Sequence, residues 1–153
     1  MRLSLPATLL LLSLLPALPT LAQSAATDES AVRATITTLF DAMKAADSTR
    51  LKTVFAPQAR LQSVANRQGA VSVSDDPISG FIRSVGKAPK GALDERLSGM
   101  TIHLDGDLAT AWTPYSFYYN GKLSHSGANA FTLVKIDGRW QILTIIDTRR
   151  RGN

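Results

Sequence analysis

An α+β fold, with three helices from the N-terminal half laid on one face of a curved antiparallel sheet, is the architecture this sequence predicts. Two observations carry the prediction. Apolar residues recur at helical spacing at Val32, Ile36, Leu39, Phe40 and Met43. Three turn dipeptides, Asp105-Gly106, Asn120-Gly121 and Asp137-Gly138, punctuate a long strand-like C-terminal half. Helices segregated from an antiparallel sheet bury their apolar stripes by lying on one of its faces.

The chain opens with a short positive region at Arg2 and an apolar run, LSLPATLLLLSLLPALP, marked by Pro6, Pro16 and Pro19. Thr20 to Ala22 then place small side chains where a signal peptidase reads them. The expectation is a signal peptide over 1–22, cleaved after Ala22. One exported domain follows over 23–153, secreted or periplasmic and without a stable membrane anchor, because the run is shorter and more broken than a spanning helix requires. The chain has no cysteine. Disulfides, thiolate zinc sites, cysteine nucleophiles and a lipid-accepting cysteine are thereby excluded. About 130 residues suit one core rather than two, and the 44% hydrophobic content suits a folded chain.

Thr27 or Asp28 is expected to cap the first helix, whose positive end suits Asp28 and Glu29. A second, short helix restarts at Asp47 or Ser48, with Leu51, Val54 and Phe55 inward and Pro57 as its stop. RLQSVANRQGAVSVS reads as two strands turning near Asn66 to Gly69. A third helix follows, with Asp76 as cap, Pro77 at its first position and Ile78, Phe81, Ile82 and Val85 on its apolar face. Gly86 and Pro89 end it. The rest is a four-stranded meander, because Asn-Gly and Asp-Gly pairs accept the positive φ of two-residue hairpin turns.

The stretches FDAMKAADSTRLKTVFAPQARL, HLDGDLATAWTPYSFYYNGKLSHSG and FTLVKIDGRWQI resemble the nuclear transport factor 2-like superfamily. Within it, the chain is similar to the lumazine-binding-like group. The resemblance covers nearly the whole chain after the signal and implies a cone-shaped fold, shared with ketosteroid isomerase, scytalone dehydratase and polyketide cyclases. It implies a tapered apolar pocket between helices and sheet for a small apolar or aromatic ligand. It also implies a homodimer formed through the outer sheet face. Chemistry does not transfer with it.

Ideal turns at Asn120-Gly121 and Asp137-Gly138 pair Trp112 with Asn129, Ser116 with His125, Phe131 with Thr144 and Asn129 with Ile146. Alternation then sorts the side chains onto two surfaces. The bulkier one, with Leu108, Thr110, Trp112, Ser116, Tyr118, His125, Asn129, Phe131, Leu133, Trp140, Ile142, Thr144 and Ile146, is expected to be concave. Tyr115 and Asp147 fall on the other. A bulge would exchange faces beyond it, and Pro114 opposite Gly127 is its expected place.

The expected ligand-binding residues are Trp112, Tyr118, Asn129, Phe131 and Thr144, a few polar groups against apolar walls. His125 is a candidate general base, since an unperturbed imidazole titrates near neutrality. Asp147 is a second candidate base and Tyr115 a candidate donor; all three also read as structural polar residues, and Asp147 with Arg149 as an ion pair. A ligand-binding protein without enzymatic activity is the leading reading. A cofactor-independent isomerase, dehydratase or cyclase and a dimeric interaction module without ligand are the alternatives. No cofactor is expected: phosphate loops, nucleophile elbows and dinucleotide fingerprints are missing. His103 and His125 lie on different strands, so no metal site is expected. The net charge of +5 is scattered apart from Arg149 to Arg151, which does not make a nucleic-acid surface.

Overall fold

The computed structural model describes residues 21–150, so most of the expected signal peptide lies outside the described residues. Among the described residues the order is α1 (Leu21–Ala45), α2 (Ser48–Lys52), β1 (Phe55–Arg67), β2 (Ala70–Asp76), α3 (Ile78–Lys87), β3 (Leu93–Leu97), β4 (Thr101–Asp105), β5 (Leu108–Tyr119), β6 (Lys122–Ile136) and β7 (Arg139–Thr148). No helix among them is long and apolar enough to cross a membrane.

The strands form one curved sheet in the order β2-β1-β7-β6-β5-β3, with β4 pairing the remaining part of β5. The expected meander is present as β4-β5-β6-β7. One pair is parallel rather than antiparallel: β1 runs alongside β7, with Leu61 opposite Ile145 and Ser63 opposite Asp147. Helix α3 lies in the connection from the β1–β2 hairpin to β3.

The α1 stripe is buried as its spacing requires, with Val32, Ile36, Leu39 and Met43 in one core cluster with Phe131, Leu133 and Ile142. Each fully buried side chain of that size contributes about 1.5–3 kcal/mol. Asp28 does not cap the helix. It lies inside α1, and its Oδ1 accepts from Trp140 Nε1 at 2.9 Å and Lys135 Nζ at 2.7 Å, fastening the helix to the sheet. Asp47 does cap α2, accepting from the Arg50 amide. Helix α2 ends at Lys52, before Pro57. Pro57 sits instead where β1 breaks register against β7, a place that tolerates its missing N–H. Asp76 is the last residue of β2, and Pro77 precedes α3 without a side-chain cap.

The turns at Asn120-Gly121 and Asp137-Gly138 form as expected, with all four residues at positive φ. The third differs by one position, since Asp105 pairs with Leu108 and leaves Gly106-Asp107 as the turn.

Two bulges reset the faces. Tyr118 opposes Leu123 but Phe117 opposes His125, so Ser124 is the extra residue. Leu133 opposes Ile142 but Thr132 opposes Thr144, so Leu143 is the other. Pro114 and Gly127 carry no bulge; Pro114 pairs with Ala128 and Tyr115 with Gly127. Asn129 therefore faces Thr113 and Asp147, not Trp112 and Ile146.

The consequence corrects the predicted surfaces. Trp112, Tyr118 and Thr144 lie on the outer face, with Leu108, Ser116 and Ile146. Trp112 is 52% exposed, and Tyr118 is covered by the Arg96 guanidinium 4.1 Å from its ring centre. The inner face of β5 carries Ala109, Ala111, Thr113, Tyr115 and Phe117. Small side chains fit where the curved sheet closes on its core, whereas bulk alone had suggested the opposite face.

Candidate functional site

Pairing across the inner face lines up residues in rows. One row runs Ser63, Asp147, Asn129 and Thr113 over β1, β7, β6 and β5, and all four are buried. The row beside it is apolar: Leu61, Ile145, Phe131 and Ala111. On the other side Tyr115 opposes Gly127. Beyond it Glu95, Phe117 and His125 cross β3, β5 and β6. A polar band is thus set into an apolar wall by strand register alone.

A cavity of about 430 Å³ lies between this wall and the helices. Leu39, Phe40 and Met43 of α1 and Phe81 and Val85 of α3 form its apolar roof. Phe117, Phe131 and Ile145 continue the apolar lining from the sheet, where Glu95, His125, Asn129, Asp147 and Arg149 supply polar groups. Asp76 approaches from the end of β2. The volume matches that of a small-molecule pocket.

Asn129 is held by both protons of its amide: Nδ2 donates to Glu95 Oε1 at 2.8 Å and to Thr113 Oγ1 at 3.2 Å. Burial of the Glu95 carboxyl lifts its pKa to about 7. The Asn129 hydrogen bond opposes that rise, and the nearby Asp147 charge reinforces it. Glu95 can therefore exchange a proton near neutrality.

Asp147 Oδ2 accepts from Arg149 Nε at 2.8 Å and from the Tyr115 hydroxyl at 3.3 Å. The Tyr115 hydroxyl lies 3.0 Å from the Thr148 carbonyl as well. Burial and the Asp147 charge push the phenol pKa upward, so Tyr115 is a donor at every physiological pH. Burial works against the Arg149 charge, yet the hydrogen bond and charge of Asp147 outweigh it and raise the guanidinium pKa. Asp147 Oδ1 and Ser63 Oγ are buried without a hydrogen-bond partner among the described residues. His125 packs between Tyr115 and Phe117, with ring centres 5.8 and 5.0 Å away, and its Nδ1 shares a 3.1 Å hydrogen bond with Ser124 Oγ.

Of the residues singled out from sequence, His125, Asp147, Asn129 and Phe131 line the cavity, and Tyr115 backs it through Asp147. Trp112, Tyr118 and Thr144 do not reach it. The sequence reading missed Glu95, although Leu93, Glu95 and Leu97 alternate so that the acid shares a face with two leucines. Among the described residues, no group of three His, Asp or Glu side chains is placed to hold a metal ion.

Comparison with known folds places this geometry. An NTF2-like protein of unknown function from Shewanella baltica superposes with a TM-score of 0.64 at 17% identity, over 83% of this chain and 97% of that one. A protein described as a putative scytalone dehydratase from Novosphingobium aromaticivorans gives a TM-score of 0.65 at 12% identity, over 85% and 89%. One described as a putative dehydratase of the NTF2-like family, from Streptomyces avermitilis, gives 0.62 at 14%, over 84% and 99%. At these identities the likeness establishes the fold alone. No curated protein matches the sequence. The sequence model of one family, described as "Putative lumazine-binding", matches residues 27–146, most of the chain. The chain belongs to that family, and its fold is the one seen in NTF2-like proteins.

Proposed function

We propose that this is an exported protein that binds a small, largely apolar ligand in the cavity between its helices and sheet. The observation that carries this reading is the 430 Å³ cavity itself, walled by Phe40, Phe81, Phe117 and Phe131 and fitted with a short polar band. Apolar walls supply affinity, and a few fixed polar groups orient the ligand. Family membership and the N-terminal export pattern support it. A thermal-shift screen of aromatic compounds tests it: hits should raise the melting temperature, and Ser84→Trp at the cavity lining should weaken them. A screen without any stabilising compound would sink the reading.

A second reading is a cofactor-independent isomerase or dehydratase, favoured by Asp147 and His125 lining the cavity with the Tyr115 hydroxyl 3.3 Å from Asp147 Oδ2. In that reading either group removes a proton next to a carbonyl while a neighbouring donor meets the developing oxyanion. Exchange of α-protons of cyclic ketones for solvent deuterium, followed by NMR, is the measurement. Exchange no faster than in buffer, or unchanged in both Asp147→Asn and His125→Gln, would exclude it.

For assembly we propose a homodimer through the outer sheet face. Trp112, Ala130 and Ile146 form one row there, with Leu108 nearby. Trp112 and Ile146 are 52% and 37% exposed, an unusual apolar display for a sheet surface.

A further inference from the structure

The polar band holds more acceptors than donors. Carboxylates face the cavity from three strands: Asp76 from β2, Glu95 from β3 and Asp147 from β7. The guanidinium on that wall, Arg149, already gives its Nε to Asp147 Oδ2. Both Asn129 amide protons are committed to Glu95 and Thr113, and the Tyr115 hydroxyl to Asp147 and Thr148. Asp147 is more than nine-tenths buried, lines the cavity, and keeps Oδ1 without a partner among the described residues.

Opposite this wall stand aromatic rings. Phe40 meets Phe131 edge to face at 6.2 Å, and Phe81 meets Phe55 likewise at 6.3 Å. The face of such a ring attracts a cation.

We infer that the cavity selects an organic cation, an ammonium or protonated ring nitrogen on an aromatic body, whose charge meets the Glu95 and Asp147 carboxylates. The inference rests on the ligand-binding reading and narrows it to a charge class. Burial is the main cause of the raised Glu95 pKa, with the Asp147 charge adding to it, and a bound cation would favour the ionised carboxylate. A carboxylate ligand is disfavoured at this wall, because it would add a negative charge beside the buried Asp147 and the Glu95 carboxyl.

Near Glu95 lie Asn129 of β6, Asp147 of β7, Arg149 just beyond that strand and Tyr115 of β5, while His125 and Asp76 line the same cavity. As pH rises from 6 to 8 Glu95 loses its proton, so cation affinity should increase while that of a neutral ligand stays constant.

Three isosteric probes test the inference by calorimetry on the full protein: 1-naphthylmethylammonium, 1-naphthylmethanol and 1-naphthoate. The cation should bind about ten-fold tighter than the alcohol, and the carboxylate weakest. E95Q should narrow the cation's preference over the alcohol and remove its pH dependence, with an unchanged far-ultraviolet spectrum showing that the fold is kept. If E95Q does not fold, the wild-type ranking decides. Binding of the alcohol or carboxylate as tight as that of the cation overturns the charge inference alone. Binding of none of the three overturns the ligand-binding reading and this inference with it.

Discussion

Asn129 on β6 and Glu95 on β3 are joined by a 2.8 Å hydrogen bond that spans the intervening strand β5 along the inner face of the sheet. The bond exists because the bulge at Ser124 brings β6 into the register that turns Asn129 inward opposite Thr113. It holds a carboxyl, desolvated on the cavity wall, in one position. Local backbone geometry, a buried polar network and the chemistry of the cavity meet at this contact.

Glu95 should make stability fall with rising pH. Its folded-state pKa, about 7, lies above the ordinary 4.5, so the native state keeps the proton longer than the unfolded chain. The stabilisation is complete below pH 4.5, declines as pH rises through the window up to 7, and is lost above it. The full shift, from 4.5 to about 7, corresponds to about 3–4 kcal/mol, reduced by the partial exposure of the side chain. E95Q has no such proton to lose. Urea denaturation of both proteins at pH 5 and pH 8 should show the variant gaining on wild type by about 1–2 kcal/mol at the higher pH. An equal difference at both values would contradict the assignment.

Gly127 is required by Tyr115. A Cβ at this position would collide with the Thr148 carbonyl oxygen and sit 2.8 Å from the Tyr115 ring and hydroxyl. The carbonyl is backbone and cannot swing away, so β6 and β7 would have to part at the row that positions Asp147. G127A should cost about 3 kcal/mol or more, at the severe end for a single methyl. The drop in urea midpoint measures it, and a variant within 1 kcal/mol of wild type would show that the strands separate easily.

Much of the fold is legible because its signals are local. The α1 stripe, the helix restart at Asp47 or Ser48 and the Asn-Gly and Asp-Gly turns each act within a few residues. The site is less legible because its faces depend on two inserted residues, Ser124 and Leu143, whose side chains are compatible with ordinary pairing. From Asn120-Gly121 as far as Leu123 the predicted register is right; one residue later every partner changes. The two bulges together leave Trp112 and Tyr118 on the outer face and gather Asn129, Asp147 and Tyr115 on the inner one. The parallel β1–β7 pair is a long-range choice with no dipeptide signature. Glu95 had a readable sign in its alternation with Leu93 and Leu97, but the short strand carrying it lies outside the turn-marked meander.

Helix α1 ends on a strained residue. Ala46 adopts φ 55°, while the Asp47 amide closes the helix onto the Ala42 carbonyl at 2.9 Å. This left-handed position favours glycine, since a Cβ there clashes with the adjacent carbonyl. A46G should raise stability by about 0.5–1 kcal/mol once the added freedom of the unfolded chain is subtracted. Thermal and urea melts should both move upward; a downward shift would mean that the Ala46 methyl packs more than it strains.

The outer sheet face offers the assembly prediction. Two copies apposed through the Trp112, Ala130 and Ile146 rows would bury the exposed apolar side chains that the inner core does not claim, and this removal of apolar area from water is the driving force. The threonines Thr110, Thr132 and Thr144 form the neighbouring row, and they keep the face flat enough for a self-complementary contact about a two-fold axis. Light scattering at micromolar concentration should give twice the chain mass. W112K should give the single chain mass with an unchanged far-ultraviolet spectrum, because a lysine at each copy's contact leaves two like charges desolvated. The cavity lies on the opposite side of the sheet, so probe binding should survive in the monomeric variant. A wild-type protein that remains monomeric under these conditions would leave the exposed Trp112 row without a role in self-association.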